Sequence, residues 1–236
     1  MRPIISLRKV HKSYTLGGQE ACVLKGFSLD IAEGDFVALM GPCGSGKTTL
    51  LNLIGGLDGP TAGEIEVAGQ RIDALAERDL ARWRMRNVGV VLHSLLSGLD
   101  VAHNVELPLL LTSLGKARRM RKVLAALAAV GLQERARHRL SDLSAGQARR
   151  IAIALALVAD PRLLVCDEPT RDLDRATAGG VMSLLQTANR RQGKTIVLVT
   201  RDQDVADYAN HTLYLEKGAL APPSFPRPTT RQASAL

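Results

Sequence analysis

Residues 38–51 read ALMGPCGSGKTTLL. Gly41 to Thr48 spell G-x-x-x-x-G-K-[ST] after an apolar, strand-like run, with a helix opening at Lys47. Glycines let backbone N–H groups converge on phosphate oxygens, and a helix N-terminus adds its dipole. Lys47 brings a point charge to the β- and γ-phosphates, and the Thr48 hydroxyl can ligate magnesium. The expected cradle comprises Gly41, Pro42, Cys43, Gly44, Ser45, Gly46, Lys47, Thr48 and Thr49. Because Cys43 lies inside it, alkylation there is expected to block nucleotide binding.

Working outward, the chain before about residue 70 reads as strands: ISLRKVHKSY, VLKGFSLDI, DFVALMG and GEIEVAG, separated by turn signals. From about 75 to 155 the texture becomes helical, through LAERDLARWRMR, KARRMRKVLAALAAVGL and SAGQARRIAIALALVA, the last with Ser144 as N-cap. After Pro161, strands and helices alternate, which argues for a sheet with parallel strands. The tail, APPSFPRPTTRQASAL, is proline-rich and polar and reads as disordered.

LLVCDEPT, residues 163–170, is an apolar strand ending in two carboxylates. A magnesium site beside a phosphate cradle needs one carboxylate at a strand end, and Asp167 fits. Glu168 follows it and could hold or polarise the attacking water. Alone this motif is weak; more than a hundred residues downstream of the cradle it is specific.

Composition bounds the alternatives. The 236 residues suffice for one generous α/β domain, with or without an inserted subdomain. The longest apolar run, IAIALALVA at 151–159, is about half the roughly 20 residues that cross a bilayer, and MRPIISLRKV has no signal-peptide pattern. A cytosolic chain, docked on a membrane only through a partner, is expected. Three scattered cysteines form neither a disulfide framework nor a zinc site. The net charge of +8 comes from dispersed arginines without interleaved aromatics, so a solvated basic surface is expected in preference to nucleic-acid binding.

With DLSAGQARR (142–150) just before the acidic strand, the order of motifs resembles the nucleotide-binding subunit of ATP-binding cassette (ABC) transporters over roughly residues 4–218. LKGFSLDIAEGDFVALMGPCGSGKTTLLNLIGGLDGPTAGEI and HNVELPLLL look most like the bacterial lipoprotein-release, macrolide-export and cell-division branch. The resemblance implies an α/β P-loop NTPase of the ABC ATPase fold. Its mixed parallel core sheet carries an N-terminal antiparallel β-subdomain and an inserted α-helical subdomain. The ATP-binding domain would span 1–221, with the helical part at about 90–158 and the tail at 222–236.

By the same resemblance, Tyr14 stacks on adenine, the alternative being an ordinary half-buried strand tyrosine. Leu143, Ser144, Ala145, Gly146 and Gln147 stand at the signature that binds the γ-phosphate of ATP held by another subunit, and Asp174 at a loop crossing the dimer interface. The cofactors implied are ATP and Mg2+. The partners implied are a second cassette, head to tail, and a membrane-spanning subunit received near 93–108, at the cytoplasmic face of the bacterial inner membrane. A regulatory clamp with little turnover is the alternative, and a soluble ABC ATPase acting on DNA or ribosomes a more distant one.

The chain departs from the family pattern. His93 replaces a glutamine that touches magnesium and water; an imidazole can do part of this, or the histidine is simply tolerated. Arg201, in VTRD, replaces the switch histidine. A guanidinium can grip phosphate but cannot accept a hydrogen bond, and it could instead face solvent. Ala145 replaces a glycine, and Arg171 and Asp172 replace a Gly-Asn pair. Working but slow hydrolysis is expected, carried by Glu168, Lys47, His93 and Arg201, with Thr48, Asp167 and His93 near the metal.

Overall fold

The computed structural model describes residues 3–91 and 95–221. Among these, β1 (Ile5–Leu16) and β2 (Gln19–Ile31) form a hairpin across Gly17 and Gly18. β1 also pairs antiparallel with β4 (Ala62–Val67), and β4 with β5 (Gln70–Arg71). This gives a four-stranded antiparallel sheet in the order β2-β1-β4-β5.

The second sheet starts from β3 (Phe36–Met40), every residue of which is buried. α1 (Lys47–Ile54) follows it through the glycine-rich loop. After α2 (Glu77–Asn87) comes β6 (Val88–Val91), and then α3 (Val101–Glu106), α4 (Lys116–Ala129) and α5 (Ala145–Leu157). β7 (Leu163–Asp167), α6 (Arg175–Gln192), β8 (Thr195–Val199), α7 (Gln203–Ala206), β9 (His211–Glu216) and β10 (Ala219–Leu220) complete the order. The sheet runs β10-β9-β3-β8-β7-β6. β9, β3, β8, β7 and β6 are mutually parallel, with β10 antiparallel at the edge.

Both faces of this sheet are covered, so its strands read as continuous apolar runs and not as alternating ones. The pleat still divides them. Leu163, Val165, Val197 and Val199 pack with α1 and the antiparallel sheet. Leu164, Cys166, Ile196 and Leu198 pack with α3, α4, α5 and α6. α1 buries Leu50, Leu51, Leu53 and Ile54 in the core shared by the two sheets, which holds the end carrying Lys47 in place.

The stretch 75–155, expected to be helical, contains β6, which pairs parallel with β7 and extends the core sheet. The proline-rich tail, 222–236, lies outside the described residues.

Candidate functional site: a phosphate cradle at the carboxyl end of the parallel sheet

β3 ends at Met40 and the chain bends at Gly41 with φ 144°. A Cβ here would stand 2.1 Å from the Leu215 carbonyl oxygen of β9, so only glycine fits between the two strands. Gly46 caps α1 with φ 99° and offers it no side-chain hydrogen bond. The first amides of α1 therefore lack a side-chain cap, the arrangement that favours an anion at a helix N-terminus. The other two long helices near the site differ. Ser144 Oγ accepts from Gln147 N on α5, and Asp174 accepts from Thr177 N on α6.

Lys47 lies folded against its own loop, with Nζ donating to the carbonyls of Gly41 (2.8 Å) and Pro42 (2.7 Å). Burial, and then the charge of Arg201, hold its ammonium below the ordinary value. Thr48 Oγ1 donates to Asp167 Oδ2 at 2.8 Å, joining the first turn of α1 to the end of β7. Glu168 follows with φ 46°, a left-handed conformation unusual for a side-chain-bearing residue. Its N–H donates to the Val199 carbonyl at 2.9 Å, which ties this turn to the end of β8.

A cavity of about 370 Å³ opens here, lined by Gly44, Gly46, Lys47, Thr48 and Thr49 from the loop and α1, and by Asp167, Glu168 and Val199 from the strand ends. Val23, Arg171 and Arg201 complete it. It sits at the carboxyl end of parallel strands, where open α/β sheets bind ligands. Thr48 and Asp167 supply the hard oxygen donors suited to magnesium. Among the described residues, no group of three or more His, Cys, Asp or Glu side chains could hold a metal by itself. A cation here would therefore complete its shell with nucleotide oxygens and water.

The cavity thus gathers Lys47, Thr48, Thr49, Asp167, Glu168 and Arg201 from three separated stretches of sequence. Arg201 lines the cavity while about half of its side chain stays open to solvent, with Nε 3.4 Å from Glu168 Oε1. Other residues do not line the cavity, although Tyr14 reaches Thr49 at its edge. Tyr14 Oη donates to Asp58 at 2.8 Å, and one ring face carries Lys12 Nζ at 4.7 Å, so this tyrosine is already engaged in its sheet. Burial, then the Asp58 hydrogen bond, raises its phenol above the ordinary value.

Ser144, Gly146 and Gln147 do not line the cavity. Ser144 and Gln147 cap α5 reciprocally, Gln147 N donating to Ser144 Oγ and Ser144 N to Gln147 Oε1. Ala145 is the first helical residue of α5, outside the left-handed region, so its methyl carries no backbone strain. Asp174 accepts from Thr177 Oγ1, which holds its carboxyl below the ordinary range. His93 lies outside the described residues.

In the sequence Arg171 stands out only as a departure from the family pattern. The structure places it in the cavity, its guanidinium 3.8 Å from Glu168 Oε1. The signal was its spacing, three residues past Glu168 across a turn.

A family model described as ABC transporter matches residues 24–171. The chain is 39% identical over 210 residues to the lipoprotein-releasing system ATP-binding protein LolD of Chromohalobacter salexigens, covering 88% of this chain and 89% of the relative. It is 41% identical over 221 residues to the macrolide export ATP-binding/permease protein MacB of Wolinella succinogenes, covering 93% of this chain and 34% of that longer protein. In structure it superimposes on a dimeric post-hydrolysis ATP-binding cassette of Methanocaldococcus jannaschii bound to ADP and Pi. The TM-score is 0.85 with 37% identity, over 92% of this chain and 97% of that one. With the cradle, the acidic strand and the fold all in agreement, this chain belongs to the ABC transporter family of ATP-binding cassettes.

Proposed function

We propose that the chain is the ATP-hydrolysing subunit of a bacterial ABC transporter, working as a cassette dimer against a separate membrane subunit. The observation that carries this is the Thr48–Asp167 hydrogen bond, which brings the cradle and the acidic strand together over one cavity. The loop amides and Lys47 would hold the β- and γ-phosphates. Thr48 and Asp167 would hold Mg2+, which neutralises charge on the phosphates. Glu168, beside them, would orient and polarise the attacking water. Arg201, at the position of the family's switch histidine, would supply positive charge to the γ-phosphate.

Ser144, Gly146, Gln147 and Asp174 lie outside the cavity of their own chain, as a head-to-tail reading requires if they serve the partner's nucleotide. Tyr14 would offer adenine the ring face away from Lys12. Among the described residues no helix is long and apolar enough to cross a membrane. A relative that joins a cassette to a permease in one chain supports a membrane partner here. Exposed Leu96, inside the stretch assigned to that partner, would offer it one apolar contact. The assembly would then sit at the cytoplasmic face of the membrane.

The test is ATP hydrolysis in the presence of Mg2+ by the purified chain, with Lys47→Ala as background. Turnover above that background supports the reading. Equal rates with ATP still bound would turn it towards a regulatory clamp.

A further inference from the structure

Glu168 has two guanidinium neighbours and is nearly enclosed. Arg201 Nε stands 3.4 Å, and an Arg171 terminal nitrogen 3.8 Å, from the same Oε1. The carboxylate is 13% exposed, while the arginine side chains are 50% and 53% exposed. One end of each pair is therefore enclosed and the other open to solvent. The enclosed end is held at the backbone as well, because Glu168 N–H is bonded to Val199 and Arg171 N–H to the Glu168 carbonyl. Both arginines line the same cavity as Lys47 and Thr48.

A carboxylate shared by two cations is a poor partner for water. It is also what holds two cations near a site for phosphate. A γ-phosphoryl group brings more negative charge and three strong acceptor oxygens, and guanidinium groups bind such oxygens through paired N–H donors. ADP brings neither to this end of the cavity.

We propose that Arg171 and Arg201 form a γ-phosphate sensor: they clamp Glu168 in the nucleotide-free chain, move to the γ-phosphate when ATP enters, and so release Glu168 only when there is a bond to hydrolyse. This rests on the reading of the cavity as the ATP site. It adds to that reading a residue outside the expected machinery, Arg171, and a selectivity for triphosphate over diphosphate that the carboxylate itself controls.

Calorimetric titration with ADP and with the non-hydrolysable β,γ-imido analogue of ATP tests it, using the full chain with Mg2+ throughout. Arg171→Gln/Arg201→Gln is expected to weaken the analogue by about tenfold or more and to leave ADP within about twofold, the scale of a lost charge-assisted contact. Arg171→Lys/Arg201→Lys keeps the charges and is expected to recover part of the loss. Glu168→Gln frees the arginines and is expected to tighten the analogue by about tenfold. That gain is expected to vanish in the Arg171→Gln/Arg201→Gln background.

The same gain in both backgrounds would mean that the carboxylate merely repels phosphate directly, and would overturn the clamp. So would equal weakening of analogue and ADP. A native chain that binds neither nucleotide would sink the ATP-site reading, and the clamp with it. One that binds both without this coupling sinks the clamp alone.

Discussion

Thr48 Oγ1 and Asp167 Oδ2 lie 2.8 Å apart although their residues are 119 positions apart in sequence. The contact exists because α1 is buried between the two sheets and β7 lies inside the parallel one. A hydroxyl and a carboxylate set this way would offer two oxygen donors to a cation, and they hold their own geometry through the hydrogen bond. On the function proposed above, the nucleotide and water would bring the rest.

Asp167→Asn separates geometry from charge. The amide oxygen still accepts from Thr48, so thermal unfolding is expected to stay close to native. A magnesium ion held there would lose the carboxylate that this strand end offers it. ATP binding measured with Mg2+ is expected to weaken at least about tenfold, the lower bound for outer-shell partners of metals. Binding measured in the presence of chelator is expected to change little. Equal weakening with and without Mg2+ would remove Asp167 from the cation site.

The cysteines give a chemical footprint. Cys43 is exposed inside the cradle, and Cys22 is exposed on β2. Cys166 is buried on β7, where desolvation pushes its thiol up to about 12. The thiolate is the reacting form, so N-ethylmaleimide is expected to modify Cys43 and Cys22 and to spare Cys166 in the folded chain. ATP is expected to protect Cys43 and not Cys22, as read by peptide mass spectrometry. Modification of Cys43 without loss of ATP binding would detach this loop from the phosphates.

Gly146 has a packing reason besides any contact with nucleotide. A Cβ there would meet Thr177 Cγ2 at 2.3 Å, where α5 crosses α6. Gly146→Ala is expected to destabilise the chain by about 1–3 kcal/mol, the range for overpacking. Thr177→Ser removes that methyl and keeps the hydroxyl that bonds Asp174, so the double variant is expected to recover most of the loss in urea unfolding. An additive double variant would place the cost elsewhere.

Local chemistry was legible in the sequence and long-range placement was not. Gly41–Thr48 and Asp167–Glu168 announce themselves because phosphate and magnesium demand particular atoms at short spacing. β6 does not: Val88–Val91 is four residues directly after an eleven-residue helix, and it becomes a strand only through pairing with β7, some seventy-five positions on. Ser144 was readable as a cap because the capping pattern is local. Arg171 was visible as an oddity, but its aim depends on the left-handed turn at Glu168, and no residue type signals that turn. The order β9-β3-β8-β7-β6 has no local signature either.

Arg201→His bears on the chemical step. Arginine offers donors only, while a neutral imidazole also accepts a hydrogen bond and can position water. The native chain is therefore expected to hydrolyse ATP slowly, above the Lys47→Ala background. Arg201→His is expected to raise kcat at least about tenfold, since a fully effective proton acceptor contributes roughly a hundredfold or more. Its affinity for ATP is expected to fall, because one arm of the phosphate grip is gone. Steady-state kinetics read both changes together. If kcat does not rise, the guanidinium already does what an imidazole would do there, and the slow step lies elsewhere in the cycle, at nucleotide release or dimer opening.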